Sequence, residues 1–253
     1  MKLNKALVRI PPENFSQGIT TSDLGKPNYV LALKQHEDYC QALRNRGVDL
    51  IVLEKEPEFP DSAFVEDTAV VNELCAVITR PGDIRRRGEE KKIKKVLSRY
   101  RKIETIKKPG TVDGGDVLRI RNKYFIGLSK RTNKQGGEQL SKILKKYGYD
   151  SVFVKIRKML HLKSGVNYLD KDVIIIREEI SNLSCFKDFH RIIVNPQESY
   201  AANGVFVNGT VLIPDGFPDT HRKIKSFGFD TTVLQMSEFE KMDGGLSCLS
   251  IRF

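Results

Sequence analysis

The 253-residue chain sets 43 Lys and Arg against 32 Asp and Glu, a formal charge of +11, and 40% of its residues are hydrophobic. A chain of this length buries roughly 70 to 75% of the surface it exposes when unfolded, so its core needs no staple. The four cysteines, Cys40, Cys75, Cys185 and Cys248, form no CxxC pair and offer neither a disulfide framework nor a zinc knuckle. The longest apolar runs, such as 173–176, fall far short of the roughly 20 residues a membrane span needs, and residues 1–10 contain no signal-peptide core. A cytoplasmic protein in reducing surroundings is the expectation.

In chain order, residues 6–10 read as a short strand. Tyr29, Leu33, His36, Cys40 and Leu43 mark an amphipathic helix that Gly47 ends, and 49–53 is the strand after it. Residues 64–79 (FVEDTAVVNELCAVIT) form a β-hairpin turning at Asn-Glu. Ile93, Val96, Leu97 and Tyr100, spaced i, i+3, i+4, i+7, give a helix, and 103–106 a strand. The same order then returns with a hairpin at 116–128, a helix carrying Leu140, Ile143, Leu144 and Tyr147, and a strand at 152–156. It returns again with a hairpin at 165–177, a weaker helical pattern at 183–189 and a strand at 191–194. A hairpin at 202–214 turns at Asn-Gly, a strong two-residue signal, before a weaker helix at 218–227 and a strand at 231–234. Residues 245–253 (GLSCLSIRF) supply a last strand able to pair with 6–10.

The repeated unit is hairpin, helix, strand, and the fifth copy is split across the two termini. Five such units close into a ring in which neighbours cover one another's faces and the chain ends act as a clasp. No Pro/Gly/Ser-rich linker interrupts them, so residues 1–253 are expected to form one α/β domain; two open α/β halves dividing near residue 150 are the alternative. Hairpin starts should converge on the ring axis and bring distant residues into one site. The net charge suits nucleic acid, an anionic membrane surface or small acidic substrates equally well. Of the basic clusters at 85–87, 91–95 and 142–146, however, the last two fall on polar helix faces, which makes solvated surface charge the simpler reading.

Acidic or glycine-rich phrases head three units: Val65-Glu66-Asp67, Val112-Asp113-Gly114-Gly115-Asp116 and Met242-Asp243-Gly244-Gly245. Paired glycines permit close backbone approach or positive φ, so neighbouring side chains can enter a narrow cavity. An acidic pocket inside a basic protein suits a cationic substrate group. Cys248, read as part of an inward-facing strand, opens the fifth unit, His161 the third and Asp113 the second. Alone, a cysteine in an apolar strand is usually a small hydrophobe. Together, a thiolate nucleophile, a proton-moving histidine and an orienting carboxylate are the parts of covalent cysteine catalysis.

Phrases spread over nearly the whole chain carry a family resemblance: GITTSDLGKPNY from Gly18, FPDSAFVEDTAVV from Phe59, ITRPGDIRRRGE from Ile78, GTVDGGD from Gly110, SKRTN from Ser129, LHLKSG from Leu160, ESYAAN from Glu198 and KMDGGLSCLSIRF from Lys241. The sequence resembles the dimethylarginine dimethylaminohydrolases of the guanidino-group-modifying superfamily, which also holds arginine and agmatine deiminases and amidinotransferases. The resemblance implies a five-bladed pseudo-symmetric α/β propeller of ββαβ units. It implies Cys248 as nucleophile, His161 as general acid/base and Asp113 beside it, at a position where bacterial members commonly carry Glu and animal members Asp. Glu66 and Asp67 are implied to face the guanidinium, and Asp61 the substrate α-amine with backbone groups near Ile19 and Met242. Arg86 and Arg131 are implied to hold the α-carboxylate, a task that suits a planar guanidinium fork, although Arg85 and Arg87 leave open which basic residue turns inward.

The implied activity is hydrolysis of Nω-methylated arginine to citrulline and dimethylamine or methylamine, with no metal or organic cofactor. The same chemistry on unmethylated arginine or another guanidine is the near alternative. A non-catalytic, RNA-binding propeller such as a ribosome anti-association factor is the distant one, and it gives Cys248 and His161 no purpose. The expected partner is a small-molecule substrate rather than nucleic acid or a membrane, with a homodimer left open, as is the role of residues 18–28 as a lid.

Overall fold

The computed structural model describes residues 3–253 and contains five three-stranded sheets arranged as blades. The first blade combines β1 (Lys5–Arg9), α1 (Tyr29–Arg44) and β2 (Asp49–Leu53). The second holds β3 (Ala69–Val71), β4 (Cys75–Ile78), α2 (Glu90–Leu97) and β5 (Lys102–Thr105), and the third β6 (Val117–Ile120), β7 (Lys123–Leu128), α3 (Lys134–Lys146) and β8 (Asp150–Lys155). The fourth has β9 (Val166–Asp170), β10 (Val173–Arg177) and β11 (His190–Val194); the fifth has β12 (Val205–Val207), β13 (Thr210–Pro214), α4 (Pro218–Ser226) and β14 (Asp230–Leu234). A short α5 (Ser237–Glu240) leads to β15 (Ile251–Arg252).

In each internal blade the first two strands pair antiparallel and the middle strand pairs parallel with the third. The terminal blade has the same plan from two chain ends: β1 runs parallel to β2 and antiparallel to β15, with Ala6 opposite Arg252 and Leu7 opposite Ile251. This is the clasp expected from the repeat, and the five units form a pseudo-symmetric ββαβ propeller.

Middle strands are continuous apolar runs because both of their faces are covered. In β10 the side chains alternate between two clusters: Val173 and Ile175 pack with Val211, Ile213 and Ile224 of the next blade, whereas Ile174 and Ile176 pack with Phe125, Val154 and Leu118 of the preceding one. The two-residue period of a strand thus gives each blade one face for either neighbour. Further clusters join the second blade to the third and close the circle through Leu7, Ile78, Ile93 and Ile251.

Three expectations change. Residues 183–189 form no α-helix; short 3-10 turns at Glu178–Ile180 and Ser184–Phe186 fill that place. Leu183, Phe186 and Phe189 recur every three residues, a spacing that eclipses side chains along a 3-10 turn instead of building a 3.6-residue stripe. Cys248 lies in a 3-10 turn at Leu246–Leu249 and not in a strand, since only Ile251–Arg252 of the C-terminal segment pairs with β1. Val65–Thr68 is likewise a 3-10 turn ahead of its hairpin. These turns, with Gly114–Asp116 and Leu162–Ser164, cap the inner ends of the blades and meet around the axis. Among the described residues no helix is long and apolar enough to cross a membrane.

Candidate active site

Two cavities open on the axis, separated by those turns. The smaller, about 20 Å³, is lined by Ile19, Asp61, Phe64, Asp67, Arg86, Arg131, Leu160, His161, Met242, Asp243, Gly244 and Cys248. The larger, about 730 Å³, opens on the other side and reaches Glu66, Gly114 and Lys163. Sequence neighbours such as Glu66 and Asp67 therefore serve opposite cavities.

Small residues let the turns meet. A Cβ on Gly114 would collide with the Glu66 carbonyl, one on Gly115 with the His161 ring, and one on Gly244 with the Phe64 ring. None of the three has positive φ, so close approach is the reason for these glycines.

His161 is buried between two carboxylates, with Nε2 3.0 Å from Asp113 Oδ2 and 3.9 Å from Asp67 Oδ1. The short Asp113 side chain therefore reaches the ring directly. Burial alone would push the imidazole down, but the negative charge of Asp67, the Asp113 hydrogen bond and nearby Asp116 outweigh it and raise the pKa to about 9. Asp67 shows the reciprocal effect: burial favours its neutral form, yet His161 and Arg86 hold it down at about 2. Its Oδ1 also accepts the Gly115 N–H at 2.9 Å.

Cys248 shares this cavity, and its Sγ receives the Gly245 N–H at 3.4 Å. Burial, followed by the negative charges of Glu66 and Asp67, pushes the thiol up to about 12. These surroundings favour a thiol in the same cavity as an imidazolium. A cation entering between Cys248 and the carboxylates reverses the field that keeps the sulfur protonated.

Among the three basic candidates, Arg86 turns inward. Arg85 stays exposed on Asp83, and Arg87 donates to the Pro81 carbonyl. Arg86 is nevertheless largely spent on protein groups: Nε and Nη2 grip Glu89 at 3.0 and 2.7 Å, Nη2 also reaches the Phe64 carbonyl at 3.0 Å, and Nη1 reaches Asp67 at 2.5 Å. Burial opposes its charge, but Glu89 and Asp67 raise its pKa well above the ordinary value. One Nη1 hydrogen remains for the cavity, which corrects the expectation of a bidentate fork on substrate. Arg131 is freer, with Nη1 3.7 Å from Asp83 and 4.0 Å from Asp113.

Asp61 lines the same cavity next to Arg86, which donates to its backbone carbonyl, and both its carboxylate oxygens accept the Ile19 N–H at 3.0 and 3.1 Å. Burial raises its pKa despite Arg86 and that N–H. Met242 packs beside it. Glu66 departs from expectation: it does not line the smaller cavity but accepts Lys163 Nζ at 2.6 Å and Ser247 Oγ at 2.8 Å. It braces the turn carrying Cys248 from behind. Lys163, Ser247 and Glu89 carried no role in the sequence reading, although all three lie inside the quoted phrases LHLKSG, GGLSC and RRRGE.

Asp67, Asp113 and His161 offer three ligand atoms within 4.8 Å of one another. The set suits a proton better than a metal ion, because the Arg86 guanidinium already occupies Asp67 and the imidazole is held in its cationic form. Residues 18–28 cover the cavity mouth: Thr21 binds Asp243 Oδ2 through both N–H and hydroxyl, and Thr20 Oγ1 donates to the Lys241 carbonyl. A volume of about 20 Å³ holds roughly one water.

Comparison with known proteins agrees with this geometry. The model for the eukaryotic N,N dimethylarginine dimethylhydrolase family matches residues 13–193. The N(G),N(G)-dimethylarginine dimethylaminohydrolase of Pseudomonas aeruginosa is 41% identical over 98% of both chains, and that of Streptomyces coelicolor is 34% identical over 100% of this chain and 98% of its own. A crystal structure of the Pseudomonas aeruginosa protein, a cysteine-to-serine mutant complexed with citrulline, superposes with a TM-score of 0.99 at 40% identity, covering both chains completely. The N-terminal domain of a cyanobacterial arginine dihydrolase shares the fold, with a TM-score of 0.89 at 19% identity over 100% of this chain and 97% of its own. The chain belongs to the dimethylarginine dimethylaminohydrolase family.

Proposed function

We propose that this protein hydrolyses Nω-methylated arginine to citrulline and dimethylamine or methylamine, with Cys248 as nucleophile and His161 as proton carrier. One observation carries the reading: an imidazole wedged between Asp113 and Asp67 faces the same closed, acidic cavity as an unpaired cysteine. Asp67 receives the substrate guanidinium, Asp61 with backbone groups at Ile19 and Met242 the α-amine, and Arg131, helped by the remaining Arg86 hydrogen, the α-carboxylate. The named relatives and the citrulline complex support the substrate class and the product.

The guanidinium supplies the positive charge that the resting thiol lacks, so Cys248 releases its proton to solvent as substrate binds while His161 keeps its own. The thiolate attacks the central guanidinium carbon. As the C–N bond to the methylated nitrogen breaks, His161 donates its proton and the amine departs neutral, leaving an S-alkylthiouronium on Cys248. Neutral His161 then takes a proton from water as the oxygen attacks the same carbon. The C–S bond breaks, the second water proton passes to solvent, where the released amine takes it up, and citrulline forms with the thiolate restored. Negative charge around His161 matters twice, since it keeps the acid loaded before the first step and recovers the proton in the second.

The test is citrulline release from dimethylarginine, monomethylarginine, arginine and agmatine, with Cys248→Ser as control. Methylated arginines should turn over fastest and agmatine, which has no carboxylate for Arg131, poorly. Preference for unmethylated arginine would replace the substrate assignment and keep the chemistry. Full activity of the serine variant would remove the assigned nucleophile.

A further inference from the structure

The aspartate that closes the GTVDGGD phrase lines neither axial cavity and meets no substrate group in the chemistry above, yet it is completely buried. A carboxylate is costly to bury unless its oxygens are used. Asp116 uses each one differently. Oδ1 accepts the backbone N–H of Leu162, the residue after His161, at 3.0 Å. Oδ2 accepts Ser129 Oγ at 2.6 Å, and that hydroxyl in turn accepts the N–H groups of Arg131 at 2.9 Å and Thr132 at 3.1 Å. Thr132, itself fully buried, returns the connection by accepting the Asp113 N–H on its hydroxyl at 3.1 Å.

We infer that Asp116 is a positioning residue that fixes the spacing between the two ends of the substrate site, holding the His161 segment with one oxygen and, through Ser129, the Arg131 loop with the other. Three groups assigned to substrate or proton transfer are tied to it: His161 through the next residue, Arg131 through its own N–H, and Asp113 through Thr132. Gly127 on β7 leaves the space it needs, since a Cβ there would stand 2.9 Å from Asp116 Oδ1 and 3.0 Å from the Leu162 Cβ. The inference rests on the proposed roles of His161 and Arg131. A substrate several bonds long must meet both at once, so a small error in their separation costs rate without any loss of a reacting group.

The two arms can be cut separately. Ser129→Ala removes only the Arg131 arm and should raise KM roughly tenfold with kcat within about twofold of wild type, the loss of about one buried hydrogen-bond equivalent. Ser129→Thr keeps a hydroxyl and should recover most of that KM. Asp116→Asn keeps an acceptor for Leu162 but turns an amide or a weaker acceptor on Ser129; it also removes the charge at the His161 end, and should lower kcat roughly tenfold or more besides raising KM. Wild-type turnover is measured first across the four guanidines, and the split is read on whichever carboxylate-bearing substrate is best, so an error in the substrate assignment is seen separately. An unchanged KM in Ser129→Ala, or a wild-type kcat in Asp116→Asn, overturns the inference. Should Asp116→Asn fail to fold, the Ser129 pair decides: a KM rise in alanine that threonine restores supports it, and equal KM values in both variants and wild type overturn it.

Discussion

Among the described residues two cysteine and histidine neighbourhoods stand in contrast, one inside the core and one at the axis, where Cys248 is half-buried. On α1, His36 Nδ1 lies 3.7 Å from Cys40 Sγ, and both side chains are packed in the core. Burial lowers His36 to about 4 and raises Cys40 to about 12. At the axis, burial also raises Cys248 to about 12, but His161 stands at about 9. Burial is common to both sites, whereas carboxylates are not: Asp67, Asp113 and Asp116 surround His161, while His36 has only Glu37, offset by Arg44, and its Nε2 has no hydrogen-bond partner. A buried Cys/His neighbourhood is by default a neutral, inert part of the core. Anionic neighbours make the second one a proton donor, and a cationic substrate is then needed to make its sulfur a nucleophile.

The strongest way to break this comparison is at sulfur. Cys248→Ser should lower citrulline formation by about 10⁴-fold or more, as expected when a nucleophile is removed from a group that acts as a unit. Cys40→Ser should leave turnover per folded molecule unchanged and lower stability by about 1–3 kcal/mol, the cost of burying a hydroxyl that lacks a good partner. Measuring activity and thermal unfolding on both variants checks the contrast; loss of turnover in the folded Cys40 variant would defeat it. The histidines should follow the same pattern with a smaller span. His161→Gln should cost about 10²–10⁴-fold in kcat, whereas His36→Leu, which replaces a half-satisfied ring by an apolar side chain, should be active and neutral or stabilising.

Much of this architecture could be read from residue order alone. Alternation in the hairpins, the helical stripe at Ile93, Val96 and Leu97, and the Asn-Gly turn all act locally, so they gave the units and their ring closure before any long-range contact was known. The two misread segments have a common cause. At 183–189 and 245–250 a few apolar residues fit a helix or strand by composition, but both segments are too short for either: the first crosses between β10 and β11 and the second turns sharply at the axis, and 3-10 turns do both. The site divides in the same way. Cys248, His161, Asp67 and Asp61 line the cavity and Asp113 meets it through the His161 ring, because each heads or neighbours a unit start. Which side of a turn a residue faces is not a matter of sequence position, which is why Glu66 went to the far side and the Arg86 fork was found in the grip of Glu89. Ser247 and Glu89, which carried no signal, and Asp116, marked only as part of an acidic phrase, act on other residues and leave no spacing of their own.

Next in size is the pH dependence of rate. With His161 at about 9, its acid form persists through neutral pH, and activity limited by that acid should fall as pH rises through about 9. Asp113→Asn keeps a hydrogen-bonding side chain and removes a charge 3.0 Å from Nε2. The alkaline limb should then move to lower pH by roughly one unit, the usual size for loss of one adjacent charge. A pH–rate profile that stays in place would mean that another group sets the limb.

The smallest effect is on stability, and there the two histidines should act with opposite sign. The raised pKa of His161 means that the folded chain binds a proton more tightly than the unfolded one, whose histidine titrates near 6.5. Its contribution is complete below about 6.5 and fades as pH rises toward 9. His36 is depressed to about 4, so between about 6.5 and 4 the unfolded chain takes up the extra proton and stability falls as pH falls. Thermal unfolding followed from pH 4.5 to 9 should therefore lose an acid slope in His36→Leu and an alkaline slope in His161→Gln, each kcal/mol appearing as about 2–4 °C. Parallel curves for wild type and both variants would mean that neither imidazole is perturbed by its surroundings, and the distinction drawn between a core histidine and a catalytic one would lose its electrostatic basis. Slopes lost from the wrong side would be more damaging still, because they would place the proton on His36 in the folded chain and leave His161 neutral among three carboxylates.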